Sequence, residues 1–231
     1  MQITYLGHAC FLIETLGKKL LVDPFIAPNP MAKDTLPALL QADQIQADYI
    51  LITHGHQDHT ADAAAIAKRT GAKVISNYEI VTWFGNQDID GHPMNHGGQW
   101  TFDFGKIKYV NAVHSSVLPD GTYGGNPGGF VITNEEACIY IAGDTALTMD
   151  MKLIPMLGSK LDLAILPVGD NFTMGTEEAL MASDFIETNR IIGCHYDTFG
   201  YIKIDHNATQ KSFADQGKEL ILLPIGESLT I

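Results

Sequence analysis

The stretch that decides the fold reads Thr53-His54-Gly55-His56-Gln57-Asp58-His59. It follows Tyr49–Ile52, an apolar run that predicts a buried strand. Its three imidazoles and one carboxylate are ligand types that Zn²⁺, Mn²⁺, Fe and Ni²⁺ accept. No cysteine lies near them, so the sequence predicts a metal site built from nitrogen and oxygen ligands.

The spacing within this motif places its ligands on two sides of a turn. His54 and His56 are two residues apart, so both imidazoles face the same way while the backbone stays extended. Gly55 allows the chain to turn tightly between them. Asp58 and His59 follow at the start of the next helix, where their side chains can face a second position a few ångströms from the first. A polar loop with Asp58 as a helix N-cap would explain the carboxylate but not the three histidines.

Three further candidate ligands each lie just beyond a predicted strand. They are His114 after Ile107–Val113, Asp144 after Ala137–Ala142 and His195 after Ile191–Cys194. Since strand ends in a sandwich gather at one rim, we expect these side chains to meet the motif. They would add one histidine for each of two ions and an aspartate that bridges the ions.

In this order the residues resemble the signature of the metallo-β-lactamase superfamily: His-x-His-x-Asp-His, a lone His, Gly-Asp-Thr, then a lone His. The resemblance covers nearly the whole chain and is strongest for the small bacterial metal-dependent hydrolases that include ascorbate-6-phosphate lactonase-like proteins. The segments that carry it beyond the motif are Gly7–Phe11, Val22–Pro24, His114–Ser116, Gly169–Gly175 and His195–Phe199.

The resemblance implies a four-layer αβ/βα sandwich and a particular ligand assignment. One ion would be held by three histidines and the other by an aspartate and two histidines, with a second aspartate as the bridge. In this sequence these are His54, His56 and His114 for one ion, Asp58, His59 and His195 for the other, and Asp144 as the bridge. Two divalent ions are therefore expected, with Zn²⁺ as the first choice and Mn²⁺, Ni²⁺ or Fe left open.

A similarity between two segments of the chain agrees with a sandwich of two similar halves. Phe11–Asp23 and Phe130–Asp144 each contain two apolar runs, a turn between them and a final aspartate. No Ser/Gly-rich linker separates the halves, so residues 1–231 are predicted to form a single domain. Pattern and turn residues also predict helices at His59–Thr70, Glu79–Gly85, Thr176–Thr188 and Asn207–Gln216, and a short helix around Ala38–Ala42.

We predict a metal-dependent hydrolase in which two metals activate a hydroxide. Its substrate would be small and ester-like: a phosphodiester, a cyclic nucleotide or a lactone. Asp58 is predicted to orient the hydroxide and accept its proton, and His8 is a candidate for the group that protonates the leaving group. The candidate substrate contacts are His8, Asp170, Tyr196 and Thr198.

Other functions of the same fold stay open. One is an iron-dependent oxygenase that acts on a thiol or persulfide, and another is a non-catalytic metal-binding protein. Iron by metal analysis, with oxygen uptake on a persulfide, would favour the oxygenase.

Charge and hydropathy bear on partners and location. The formal net charge is −13, and the 14 Lys and Arg residues form no basic run, so nucleic acid is a poor candidate partner. The start of the chain has no positively charged region followed by an apolar stretch, so the cytoplasm is the expected location. We expect a small-molecule substrate and no membrane, and homo-oligomerisation stays open.

Overall fold

The computed structural model describes all residues from Met1 to Ile231. Fourteen strands run through the chain. They are β1 (Gln2–Gly7), β2 (Cys10–Thr15), β3 (Lys18–Val22), β4 (Tyr49–Leu51), β5 (Lys73–Asn77), β6 (Gly91–Met94), β7 (Gln99–Phe102), β8 (Gly105–Asn111), β9 (Gly128–Thr133), β10 (Cys138–Ile141), β11 (Leu163–Pro167), β12 (Arg190–Cys194), β13 (Glu219–Ile221) and β14 (Ser228–Thr230).

The strands form two mixed seven-stranded sheets. The spatial order of the first is β14-β1-β2-β3-β4-β5-β6, and that of the second is β13-β12-β11-β10-β9-β8-β7. In each sheet antiparallel hairpins occupy one side and parallel strands the other. The two similar halves predicted from sequence are therefore present as two similar sheets.

Six helices flank the sheets, with 3-10 turns at Ala38–Leu40, Met149–Lys152 and Gly200–Ile202. The helices are α1 (Gln57–Thr60), α2 (Ala63–Thr70), α3 (Tyr78–Gly85), α4 (Leu153–Met156), α5 (Thr176–Phe185) and α6 (His206–Ala214). Along the chain, each helix lies between two strands.

Three apolar cores separate four layers. The central core draws side chains from both sheets, among them Phe11 and Ile13 of the first and Phe130 and Ile132 of the second. A second core lies between the first sheet and α2 and α3, and a third lies between the second sheet and α5 and α6. Burial of apolar surface on both faces of each sheet accounts for this layering. The predicted αβ/βα sandwich is confirmed.

The helix predicted at His59–Thr70 is two helices. α1 ends at Thr60 and α2 begins at Ala63. Asp62 lies at the break, where its carboxylate accepts the backbone N–H groups of Ile26 and Ala27 at 2.6 and 2.9 Å. This tertiary contact was not visible in the periodicity. The predicted glycine C-cap is confirmed, because Gly71 has a left-handed backbone conformation with a φ of 75°.

Five short elements were not predicted, one of them the 3-10 turn at Gly200–Ile202. β6 contains Pro93 and β14 is a three-residue strand, and both lie at sheet edges, where a missing N–H is tolerated. The 3-10 turn at Met149–Lys152 and α4 follow the Asp144 strand end. The short helix expected at Ala38–Ala42 is a single 3-10 turn at Ala38–Leu40.

None of the helices has the length and apolar character needed to cross a bilayer.

Candidate metal centre

The sequence-predicted ligands meet where strands of the two sheets end. His54, His56 and the α1 residues follow β4, and Asp144, at the end of β10, faces them from the other sheet. His114 follows β8 and His195 follows β12. All seven predicted ligands thus lie in one cluster, as the strand-end argument required.

A first group of ligands contains His54, His56 and His114. One donor atom from each lies within 4.8 Å of the others. Nε2 of His54 is 2.9 Å from Nδ1 of His56, and the ring of His114 is about equally distant from both, at 5.1 and 5.0 Å between centroids. Three imidazoles facing one point form a nitrogen-rich cation site.

A second group contains Asp58, His59 and His195, and His8 joins it. Oδ2 of Asp58 is 3.8 Å from Nε2 of His59 and 3.8 Å from Nε2 of His195. The His59 and His195 rings are stacked, with centroids 5.9 Å apart. This group therefore combines a carboxylate with imidazoles, which are ligand types that could also hold a cation.

Asp144 joins the two groups through one oxygen. Its Oδ2 lies 3.0 Å from Nε2 of His195, 3.5 Å from Nε2 of His59 and 3.6 Å from Nε2 of His114. Its other oxygen, Oδ1, is buried without a hydrogen-bond partner, and so is Nε2 of His59. Buried polar atoms without partners are costly, and a cation between the groups would satisfy both. The residues present fit divalent metal ions.

The histidines of the first group are held as neutral imidazoles. Burial lowers the pKa of His54 well below its ordinary value, with a further decrease from positive charge on His59. Burial also lowers the pKa of His56 and of His114. Only the neutral imidazole offers a lone pair to a metal, so this group is in the protonation state that binding needs.

The charges of the second group favour positive charge at its centre. Burial alone would lower the pKa of His59, but Asp144, Asp23 and Asp58 raise it well above its ordinary value. Burial also opposes protonation of His195, yet Asp144 and Asp58 raise its pKa to about 9. The imidazole charges in turn outweigh burial and hold the pKa of Asp58 and of Asp144 below the ordinary range. A divalent cation is attracted by the same carboxylates.

Asp23, which the ligand prediction left out, contacts one of the predicted ligands. It follows β3, is 1% exposed and accepts a hydrogen bond from Nδ1 of His59 at 2.8 Å. The same carboxylate accepts the N–H and the hydroxyl of Thr53 at 2.8 and 2.7 Å. A carboxylate on the far nitrogen fixes the tautomer of a metal-ligating histidine. The strand-end rule applied to Asp23 would have found it, since it also closes an apolar strand.

Gly55 lies under a closely packed segment of the chain. A Cβ at this position would lie 3.2 Å from the backbone of Val117 and 3.2 Å from Leu118. The Gly55 N–H donates to the hydroxyl of Ser116 at 3.0 Å, and the hydroxyl of Ser115 lies 3.2 Å from Nε2 of His56. The segment after His114 therefore covers the turn of the motif, an arrangement that sequence spacing did not indicate.

The candidate substrate contacts lie in different places. His8 and Thr198 are buried beneath Asp58, with Nδ1 of His8 3.0 Å from Oγ1 of Thr198. Tyr196 is buried against Tyr5, at 6.4 Å between ring centroids, so its burial gives a substrate contact no support.

Asp170 is not a member of the ligand cluster. It is exposed and lines a polar cleft with residues such as Tyr201 and Lys203. Its side chain accepts the N–H of Asn171 at 2.7 Å, and its backbone N–H donates to Met174 at 3.1 Å. The role of Asp170 as a substrate contact stays a prediction.

The solvent-accessible surface of the cluster belongs mainly to three of its seven members. His54, His59, Asp144 and His195 are almost fully buried. The members with accessible surface are His56, Asp58 and His114. Exposed Ser115 lies beside His56, and half-buried Phe199 packs against His8. A substrate would reach the cluster from the side of the three accessible members.

Comparison with known proteins identifies the family. Residues 2–195 match the family described as the beta-lactamase superfamily domain. The chain is 59% identical over 231 residues to a UPF0173 metal-dependent hydrolase of Flavobacterium johnsoniae, and 48% identical over 232 residues to one from Methylacidiphilum infernorum. Both alignments cover all of both chains.

A solved structure supports the same relationship. Igni18, a metallo hydrolase from the archaeon Ignicoccus hospitalis, is 33% identical, with a TM-score of 0.88 over 100% of this chain and 97% of that chain. The sequence match, the sandwich and the His/Asp cluster agree. The chain therefore belongs to the UPF0173 metal-dependent hydrolases of the beta-lactamase superfamily.

Proposed function

We propose that this chain is a hydrolase of a small ester-like substrate that works with two divalent metal ions. The observation that carries the proposal is the position of Asp144, whose Oδ2 faces the Nε2 atoms of His195, His59 and His114 at 3.0, 3.5 and 3.6 Å. An oxygen so placed can be shared by two ions. Zn²⁺ is our first candidate, with Mn²⁺, Ni²⁺ and Fe as the others.

The ligands divide between the proposed ions as the resemblance implies. His54, His56 and His114 would hold one ion. Asp58, His59 and His195 would hold the other, and Asp144 would bridge. Bound there, two divalent ions would polarise the substrate oxygen and lower the pKa of a water to about 7.

Asp58 has the position of a catalytic base. It is the only carboxylate of the cluster with substantial side-chain exposure, 25% against 3% for Asp144. It lies at the open side, where the attacking water must enter. Asp58 would orient that water and accept its proton. Despite burial, the neighbouring imidazoles hold the pKa of its carboxyl group below the ordinary range, so the group is ionised. The low pKa supports the orienting role rather than the basicity of Asp58.

The buried residues of the centre would hold it rigid and exclude bulk water. Asp23 orients His59, and Ser115 contacts His56 at the open rim. Half-buried Phe199, 5.2 Å from His8 between ring centroids, offers an apolar wall for the part of the substrate that does not react. A phosphodiester, a cyclic nucleotide and a lactone all present an electrophilic centre with an oxygen leaving group.

The test is hydrolysis of bis-p-nitrophenyl phosphate, cyclic nucleotides and lactones by protein loaded with each candidate metal. We expect turnover of at least one class and a loss of about 10²–10⁴-fold in kcat for Asp58→Asn. The matched control is Asp90→Asn, because Asp90 is an exposed carboxylate that pairs with Lys73 away from the cluster. Oxygen uptake with a persulfide on iron-loaded protein, without hydrolysis of any ester, would contradict the proposal and support the oxygenase.

A further inference from the structure

A second cleft lies between α3 and the loop that follows His114. Its volume is about 560 Å³, which is within the range of small-molecule sites, roughly 300–1,000 Å³. Tyr78, Glu79 and Trp83 line it from α3, and Asp120 and Tyr123 line it from the loop. None of the predicted metal ligands lines this cleft, so the metal centre does not account for it.

The cleft and the metal centre share one rim and one loop. α3 begins at Tyr78, directly after β5, and β5 runs parallel to β4, whose end leads to His54. The hydroxyl of Ser116 accepts the N–H of Gly55 at 3.0 Å and donates to the carbonyl of Gly124 at 2.9 Å. The loop that forms one wall of the cleft is therefore bonded directly to the metal-binding motif.

The walls of the cleft are fixed to each other by buried and polar contacts. Asn77 is 1% exposed, and its Nδ2 donates to the carbonyls of Gly124 and Asn126 at 2.7 and 3.2 Å. Nε1 of Trp83 donates to Oδ2 of Asp120 at 2.7 Å. Because these bonds join α3 to the loop, the cleft is formed before any ligand enters it.

Aromatic rings are left open to solvent on both walls. Tyr78 is 61% exposed and Tyr123 is 60% exposed, although each carries a large apolar ring. The hydroxyl of Tyr123 donates to Oδ1 of Asn126 at 2.9 Å, which orients its ring. Half-buried Trp83 adds a third ring. Such rings offer a ligand both apolar contact and the negative face of a π system.

The charged groups of the cleft are all negative. Glu79 and Asp120 are carboxylates, and no Lys, Arg or His side chain lines the cleft. Hydrogen bonds from the Trp83 side chain and from Thr122 lower the pKa of Asp120, so this carboxylate is ionised at neutral pH. Carboxylates beside exposed aromatic faces attract an organic cation and repel an anion.

We propose that this cleft binds an organic ammonium group, and that this group belongs to the part of the substrate that does not react. The assignment to the substrate rests on the hydrolase proposed above, whereas binding of the cation does not. The rings of Tyr78, Trp83 and Tyr123 would receive the alkyl groups of the cation, and the two carboxylates would supply the opposite charge. The substrate class is then a small ester that carries an alkylated ammonium group.

The first experiment compares binding of choline with that of 3,3-dimethylbutan-1-ol, which has the same shape but no charge. The protein is the Zn²⁺-loaded Trp100→Phe variant, in which Trp83 is the only tryptophan and its fluorescence reports on the cleft. We expect a saturable change with choline and an affinity about 3–10-fold higher than that for the alcohol. The difference should shrink as the salt concentration rises.

Substitutions on each wall locate the binding site. Glu79→Gln should weaken choline binding by about 2–5-fold, and Tyr123→Leu should weaken it by about 3–10-fold. Glu178→Gln is the matched control for charge, since Glu178 lies in the first turn of α5 as Glu79 does in that of α3. Tyr201→Leu is the control for an exposed tyrosine outside this cleft. Circular dichroism checks the folding of each variant.

Kinetics test the link to the substrate, with the p-nitrophenyl phosphodiesters of choline and of the same alcohol. We expect a lower KM for the choline ester, and Glu79→Gln should remove the difference. Choline that binds no more tightly than the alcohol would overturn the cation site. Firm choline binding with equal KM values would overturn its assignment to the substrate. Choline binding without hydrolysis of either ester would count against phosphodiester hydrolysis in the proposed function and not against the cation site.

Discussion

At the scale of single residues, side chains outside the ligand set contact the imidazoles of the cluster on the nitrogen that faces away from it. Asp23 binds Nδ1 of His59, and Thr198 lies against Nδ1 of His8, so in each case Nε2 is turned toward the cluster. Nδ1 of His195 is buried without a partner, which leaves that ring to be held by its backbone turn and by Asp144. The orientation of the ligands is thus built from residues outside the motif.

Replacement of Asp23 by Asn should weaken metal binding by about 10–100-fold. The amide can still accept the Thr53 N–H, but its NH₂ group then faces Nδ1 of His59 and disfavours the tautomer with Nε2 free. Zinc affinity by chelator competition measures the effect. Asp62→Asn is the matched control, since Asp62 is also a buried loop carboxylate but accepts only backbone N–H groups of Ile26 and Ala27. Unchanged zinc affinity in Asp23→Asn would show that Asp23 does not orient His59.

The sequence was sufficient to locate the ligand cluster but not its surroundings. His114, Asp144 and His195 could be predicted because each follows an apolar run that ends at the same rim. The contact between His8 and Thr198 joins positions 190 residues apart and depends on left-handed turns. No local pattern encodes such a contact. Burial of Tyr196 likewise follows from tertiary packing against Tyr5.

At the scale of elements, strands with continuous apolar runs were the most predictable. β11 and β12 are buried on both faces, so their sequences are almost wholly apolar. β6 and β14 are edge strands with polar residues or proline, and they form because a neighbouring strand offers its free backbone groups. The break between α1 and α2 arises from the contact of Asp62 with another loop. These elements depend on partners distant in sequence.

The position of α1 matters for the chemistry. It begins directly after His56, and its first turn carries Asp58 and His59. A short helix separated from α2 brings both side chains back toward the end of β4.

At the scale of the whole molecule, we propose that residues 1–231 form a single folding unit. The central core mixes side chains of both sheets, and neither half could bury its inner face alone. Urea unfolding should therefore give one transition, with the same midpoint by far-ultraviolet circular dichroism and by fluorescence of Trp83 and Trp100, which lie in different halves. Separate midpoints for the two probes would indicate two domains.

The family relationship, the fold and the cluster lead to one central claim: the strand ends of this sandwich bind two metal ions through ligands from both sheets. The most direct measurement is the number of metal ions per chain, by mass spectrometry of the metals in protein equilibrated with excess Zn²⁺ and then desalted. The account predicts close to two ions per chain for wild type and about one for His56→Ala. Wild-type protein with one bound ion or none, or a His56→Ala variant with the full wild-type content, would contradict it.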